Sequence, residues 1–180
     1  MPGYAAFLRG VNLGKHRRVK SADLCAACED AGLAGVAAFR ASGNVVFDAD
    51  GGSAAELTGR VEAALAEALG FDVVVFLRSA KQVRAIAAQE PFDAAVAGRA
   101  KGKLQVAILA EEPGAAARRA ALALATDDDL LAIAGRELYW LPKGGTADSD
   151  LDQKALEKEV GPWTMRTMGT IEQIAAKFFA

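Results

Sequence analysis

Val36-Ala37-Ala38-Phe39-Arg40-Ala41-Ser42-Gly43-Asn44-Val45-Val46-Phe47 is the stretch whose reading decides the fold. Residues 36–39 and 45–47 are apolar, β-branched or aromatic, and they flank Ser42-Gly43-Asn44. Glycine and asparagine supply the positive φ values of a tight hairpin turn, so the stretch reads as two antiparallel strands. A helical pattern lies on either side of it. Upstream, Ser21-Ala22-Asp23 is expected to cap a helix with Leu24, Cys28 and Ala31 on one face, stopping at Gly32. Downstream, Asp50-Gly51-Gly52 ends the hairpin, and Ser53 with Glu56 forms a capping-box signature. Leu57, Val61, Ala64, Leu65, Ala68 and Leu69 then trace a helical stripe that closes at Gly70. With a strand at residues 4–9 and a continuous buried-strand run at 71–77, the order is strand, helix, hairpin, helix, strand. That is the split-βαβ pattern of a ferredoxin-like sandwich.

The same order returns further on. Ser79 with Gln82 opens a helix that ends before Pro91, and residues 93–103 are polar, small and glycine-containing, as in a linker. Residues 104–109 read as a strand, and Pro113-Gly114 opens an alanine-rich helix to about residue 125. Residues 130–133 and 137–141 flank Ala134-Gly135-Arg136 as a second hairpin. Ser149 is expected to cap a helix bearing Leu151, Ala155, Leu156 and Val160, with a short strand at 163–167. Thr170 with Gln173 is expected to cap the last helix, whose Ile171, Ile174, Ala175 and Phe178 face inward. The fold class is therefore α+β: a tandem of two ferredoxin-like units, residues 1–92 and 93–180, with antiparallel sheets covered by helices. The alternative is one larger mixed sheet with helices on one face.

Composition narrows the class of protein. The chain has 180 residues, 52% hydrophobic and 24% charged, which suits a globular core and excludes a disordered chain. Its net charge of −2 means that any attraction to nucleic acid must come from a local patch. Met-Pro-Gly-Tyr leads straight into a strand-like run without a basic and apolar leader, so no signal peptide is expected. No apolar run approaches the roughly 20 residues of a membrane helix. Cys25 and Cys28 cannot build a disulfide framework, and a cytoplasmic location is the expectation.

Chemistry concentrates near the N-terminus. Residues 4–20 run from an apolar strand through Arg9-Gly10-Val11-Asn12 into a loop with Gly14, Lys15, His16, Arg17, Arg18 and Lys20, and carry no acid. Converging backbone N–H groups and Lys15 would suit an anion. The spacing of Gly10 and Gly14 is one residue short for a P-loop, and no third glycine completes a dinucleotide fingerprint. The loop is either an anion cradle or a solvated edge. Arg9, at the carboxyl end of its strand, is placed to aim a planar guanidinium at a carboxylate or phosphate, or to form a structural ion pair. Asn12, Ser42 and Asn44 either orient their turns or add neutral hydrogen bonds to the same ligand. The Cys25-x-x-Cys28 spacing lies inside a helix among apolar residues, which favours a packing role over a redox one. His16 is the only histidine, so no catalytic triad is singled out. Neither Asp127-Asp128-Asp129 nor Asp148, Asp150 and Asp152 matches a calcium loop, and both are expected at a loop or a helix start. No metal or cofactor is expected. Binding of RNA through Lys15, Arg17, Arg18 and Lys20 is open, although Tyr4, Phe39 and Phe47 suit a core as well as a stacking platform.

Tyr4, Leu8-Arg9-Gly10-Val11-Asn12, Gly14, Leu24 and Ser42-Gly43-Asn44-Val45-Val46-Phe47, with Gly135 to Tyr139, together resemble the bacterial family defined by domain of unknown function 1697. The resemblance implies a two-part α+β fold and carries no activity with it. Toward the C-terminus the chain departs from the family pattern. Asp150 stands where lysine is usual, and the run from Thr164 to Ile171 keeps the first threonine and Arg166 but lacks Asn-Trp. Arg9, Asn12, Ser42, Asn44 and Arg166 remain as matching polar positions. The expected function is binding of a small anionic or phosphorylated ligand, with RNA binding or a protein-interaction or dimerisation module as alternatives.

Overall fold

The protein is described from a computed structural model, and the described residues are 3–12 and 18–180. The chain forms a mixed α+β fold with two four-stranded antiparallel sheets among the described residues. It divides into two compact units, Met1–Arg84 joined by Ile174–Ala180, and Ala85–Gln173. The single mixed sheet considered as an alternative is not formed.

The first unit runs β1 (Gly3–Arg9), α1 (Ser21–Asp30), β2 (Ala34–Ala38), β3 (Asn44–Asp48), α2 (Ala54–Leu69) and β4 (Val74–Ser79), with α3 (Ala80–Ala87) following. Its sheet has the order β2-β3-β1-β4. β1 is central, with Tyr4 opposite Phe47 on one side and Ser79 on the other. The run Ala5-Ala6-Phe7-Leu8 is buried on both faces, which explains why it reads as continuously apolar rather than alternating. Ala6 and Leu8 join Val45, Phe47, Val75 and Leu77 on the helix-covered face, under Leu24 and Cys28 of α1 and Leu57, Val61 and Leu65 of α2. Each such fully buried leucine contributes roughly 1.5–3 kcal/mol relative to exposure. Ser53 and Glu56 form the expected capping box at the start of α2.

The second unit runs α4 (Ala94–Ala97), β5 (Gln105–Leu109), α5 (Ala115–Leu122), β6 (Asp129–Ala134), β7 (Glu137–Pro142), a 3-10 turn (Thr146–Asp148), α6 (Gln153–Val160) and β8 (Trp163–Thr167), with α7 (Met168–Phe178) following. Its sheet order is β6-β7-β5-β8. Gln105 stands opposite Trp140 and Thr167, as Tyr4 stands opposite Phe47 and Ser79 in the first sheet. Ala107, Leu109, Leu138 and Trp140 pack with Ala121 of α5 and Leu156 and Val160 of α6.

Several local expectations are corrected. Ser21 is the first residue of α1 rather than its cap; Lys20 holds the cap position without a side-chain bond. α6 is capped by Asp152, whose carboxylate accepts from the Ala155 N–H at 2.9 Å, because Ser149 is drawn inward to Asp129. α7 begins at Met168, directly after β8, so its cap is Thr167: Thr167 Oγ1 accepts from the Thr170 N–H at 3.3 Å. Residues 93–103 hold the short helix α4 rather than plain linker. β4 starts at Val74, later than the apolar run, and Val74 is 47% exposed.

Candidate functional site

The Arg9 segment and the Ser42-Gly43-Asn44 turn are neighbours. Phe7 pairs with Asn44 in the ladder, and the Leu8 N–H donates to the Gly43 carbonyl at 2.8 Å. Past the ladder, Val11 closes over the turn and is only 7% exposed. Gly43 sits at φ 74°, and a Cβ there would stand 2.5 Å from Val11 Cγ2 and 3.1 Å from Leu8 Cβ. The turn therefore needs glycine twice, for its backbone and for the space.

Asn12 locks the junction. At φ 55°, its Nδ2 donates to the Ala41 carbonyl, while its Oδ1 accepts from the Val19 N–H at 2.8 Å. One side chain thus ties the start of the basic connection both to its far end and to the hairpin turn. Asparagine suits the role because it tolerates left-handed backbone and offers a donor and an acceptor together. Asn44 is 1% exposed, and its Nδ2 donates to the Phe39 carbonyl and to Ser42 Oγ, both at 2.9 Å. Asn12, Ser42 and Asn44 thus make turn-holding bonds, the local role that the sequence set beside ligand contact.

Arg9, the last residue of β1, is half-buried and stands opposite Val74 of the edge strand β4. Arg18 and Lys20 are exposed, whereas Lys15, His16 and Arg17 lie outside the described residues. Arg166 belongs to the second unit, on β8, where it is 8% exposed. Its Nη1 donates to Thr164 Oγ1 at 2.9 Å and to the Met165 carbonyl at 2.7 Å. Burial pushes its guanidinium pKa down to about 10, which leaves it charged at neutral pH. Arg9, Asn12, Ser42 and Asn44 form one corner of the first unit, and Arg166 is not part of that unit.

The remaining motifs resolve as packing. Phe47 is 2% exposed and stacks on Tyr4 at 5.8 Å, so this pair fills the core. Cys28 is fully buried, and its thiol is pushed up to about 11 by burial, with Cys25 and Glu29 adding to the rise. Such a thiol is a poor nucleophile. No group of three metal-ligating side chains occurs among the described residues.

Sequence reasoning missed three polar features. Asp129, expected in a loop, is instead 1% exposed at the start of β6. Its carboxylate accepts from Trp140 Nε1 at 2.8 Å, Ser149 Oγ at 2.7 Å and Thr126 Oγ1 at 2.8 Å. Burial alone would raise its pKa, but these bonds outweigh burial and hold it below the usual carboxylate value. Arg78 is 2% exposed on β4, at the register position that Arg166 occupies on β8, opposite Ala5 and Val106 respectively. The third is the pair Arg40 and Lys177, both set against the Phe39 ring. Only the Arg-Ser and Arg-Thr steps ahead of α3 and α7 signalled any of this in the sequence.

A family model described as Protein of unknown function (DUF1697) matches residues 1–139. The chain belongs to the DUF1697 family. The match takes in the whole corner and reaches β7 of the second unit. Among solved structures, this DUF1697 protein is similar to the conserved bacterial protein SP0830 from Streptococcus pneumoniae. The two share 20% identity over 97% of each chain, with a TM-score of 0.70, a likeness of fold. Comparison with curated proteins gave no match. No described helix is long and apolar enough to cross a membrane.

Proposed function

We propose that this DUF1697 protein binds a small anionic or phosphorylated ligand at the corner where β1 meets the β2–β3 turn. Arg9 is the clamp, because it ends β1 one residue after Leu8, whose N–H donates to the Gly43 carbonyl of the turn. The observation that carries the reading is the pair of hydrogen bonds joining Asn12 to Ala41 and Val19, which holds the root of the basic connection against the turn. In this reading Ser42 and Asn44 keep the turn in shape, and Lys15 adds charge. Arg166 is retained as a charged group of the second unit.

Thermal-shift titration with orthophosphate, sugar phosphates and nucleotides on wild type, Arg9→Ala and Arg9→Lys tests it. A ligand at ten times its Kd adds about 1.4 kcal/mol, or about 3–5 °C for a chain of this size. The expected pattern is a shift in wild type, a reduced one in Arg9→Lys and none in Arg9→Ala. No shift in wild type, or equal shifts in all three, removes the proposal.

RNA binding through Lys15, Arg17, Arg18 and Lys20 is the second reading, supported by the exposure of Arg18 and Lys20. It predicts an affinity for single-stranded RNA that falls steeply with salt and weakens in Arg18→Ala. It must work without Tyr4 and Phe47 as a stacking platform, since those rings are committed to each other. A dimer would show directly in solution mass. We also infer that each unit is ferredoxin-like, which the matching orders β2-β3-β1-β4 and β6-β7-β5-β8 support. A cytoplasmic location is likewise inferred and is consistent with Cys25 and Cys28 as free thiols.

A further inference from the structure

An apolar floor in the second unit lies under a helix that does not pack on it. Leu130 and Leu141 stand opposite each other in the β6–β7 ladder. Their neighbours Leu131 and Trp140 belong to the core formed with Ala121 of α5 and Leu156 of α6. Alternation along the strands therefore turns Leu130 and Leu141 to the other face of the sheet. There, with Val96 and Ala100 of the α4 segment, they line a cavity of about 270 Å³.

α4 contributes no buried residue, and Val96 is 40% exposed. Among the described residues, Val74 is the only other large apolar side chain left exposed. The chain just beyond α4 is fixed, by contrast. The Lys101 N–H donates to the Lys143 carbonyl at 3.0 Å, and the Lys143 N–H donates to the Asp128 carbonyl at 2.7 Å. A Cβ on Gly102 would fall 2.2 Å from the carbonyl oxygens of both Pro142 and Gly144, so only glycine lets the two segments lie this close. Backbone ties thus bound the cavity on one side, while α4 covers it without filling it.

The polar walls favour a cation. Asp127, Asp128 and Lys143 line this cavity and also an adjoining one of about 510 Å³ that includes Asp129, Asp148 and Asp150. Across the two, five aspartates stand against Lys143 and Arg99, a net of three negative charges. At the shared wall an ammonium is already accepted: Lys143 Nζ donates to Asp128 Oδ1 at 2.7 Å. Asp128, with Asp127, holds the Lys143 pKa above its ordinary value. Both side chains of that ion pair are largely exposed, and such pairs hold weakly enough to exchange with a competing ion.

We propose that the cavity between α4 and the β6–β7 ladder binds a small primary amine with an apolar body. The ammonium replaces that of Lys143 on Asp128, and the body lies among Val96, Leu130 and Leu141. A volume of about 270 Å³ falls just below that of drug-sized sites, which restricts the body to a phenyl ring or a short alkyl chain. The site stands apart from the anion-binding reading of the first unit and does not depend on it.

Calorimetric titration of the whole chain with phenethylamine tests it, with phenethyl alcohol, phenylacetate and ammonium chloride as controls. The variants Asp128→Asn, Val96→Ser and Lys143→Ala change exposed side chains and are checked for native circular dichroism. Wild type is expected to bind phenethylamine about tenfold more tightly than any control, because only the amine supplies both charge and apolar body. Asp128→Asn is expected to weaken that binding about tenfold, and Val96→Ser about threefold. Lys143→Ala is expected to strengthen it about threefold by removing the competing ammonium. If the Lys143–Asp128 pair merely shaped the loop, Lys143→Ala would weaken binding or leave it unchanged, and either result overturns the proposal. So does equal binding of phenethyl alcohol or ammonium, full affinity in Asp128→Asn or Val96→Ser, or no binding of phenethylamine to wild type and Lys143→Ala.

Discussion

Leu8 donates its N–H to Gly43 in the first unit, and Leu109 donates its N–H to Arg136 in the second, at 2.8 and 2.9 Å. The two sheets place a hairpin turn at the same point beside the end of their central strand. The chain leaves that point differently in each unit. After Leu8 it passes through Arg9, Val11 and Asn12 over the turn and reaches α1 only at Ser21. After Leu109 it departs at once: Ala110 donates its N–H to Pro162 at 3.1 Å, and α5 begins at Ala115. The turns reflect this. Gly43 is covered by Val11, whereas Gly135, at φ 57°, has Glu137 Oε2 at 3.8 Å as the nearest atom to an added Cβ. Strand order and register make the frame in both units, and the longer connection of the first makes the corner.

The largest expected effect tests that contrast. Gly43→Ala incurs both left-handed backbone strain and a clash with Val11, and should lose about 2–4 kcal/mol in urea unfolding. Gly135→Ala meets the strain alone and should lose about 1–2 kcal/mol. Equal losses would break the comparison, because they would mean that Val11 does not seal the first turn.

A smaller effect sharpens the opposite side of the contrast. Trp140 occupies in the second sheet the place of Phe47 in the first, and it brings an N–H that Asp129 accepts. Because the folded pKa of Asp129 is depressed, its stabilisation is fully present above the unfolded value of about 3.9 and is lost as pH falls through the folded value. Asp129→Asn should cost about 1–3 kcal/mol at neutral pH, and it should flatten the loss of stability below about pH 4. An acid limb unchanged in the variant would show that Asp129 is not the carboxylate responsible.

The smallest effect concerns what the units share. Ser79 and Thr167 each follow a buried arginine, and each accepts from the N–H three residues on, at 3.3 Å. Ser79→Ala and Thr167→Ala should each lower stability by about 1 kcal/mol. A large inequality in thermal unfolding would indicate that the two helix starts are not equivalent.

Much of the fold was legible in the chain itself. The hairpin around Gly43, the stripe of Leu57, Val61 and Leu65, and the Ser53–Glu56 box signal their structures locally, through periodicity and turn chemistry. Those signals determined the α+β class and the repeated order of elements, and they marked Arg9, Asn12, Ser42 and Asn44. Caps were harder to read where a second partner competed for the hydroxyl. Ser149 has good cap chemistry, but its hydroxyl donates to the buried Asp129 carboxylate, and only the folded chain brings them together from 20 residues apart. Arg40 gave no signal, because Lys177, which also lies against the Phe39 ring, comes from far along the sequence. The tertiary structure alone decided that the Arg9 segment lies on the Gly43 turn. Antiparallel pairing of β1 with β3 sets Phe7 opposite Asn44, and that register carries everything beyond Leu8 onto the turn. Composition could name the residues of the corner, but only the long-range ladder could bring them into one place.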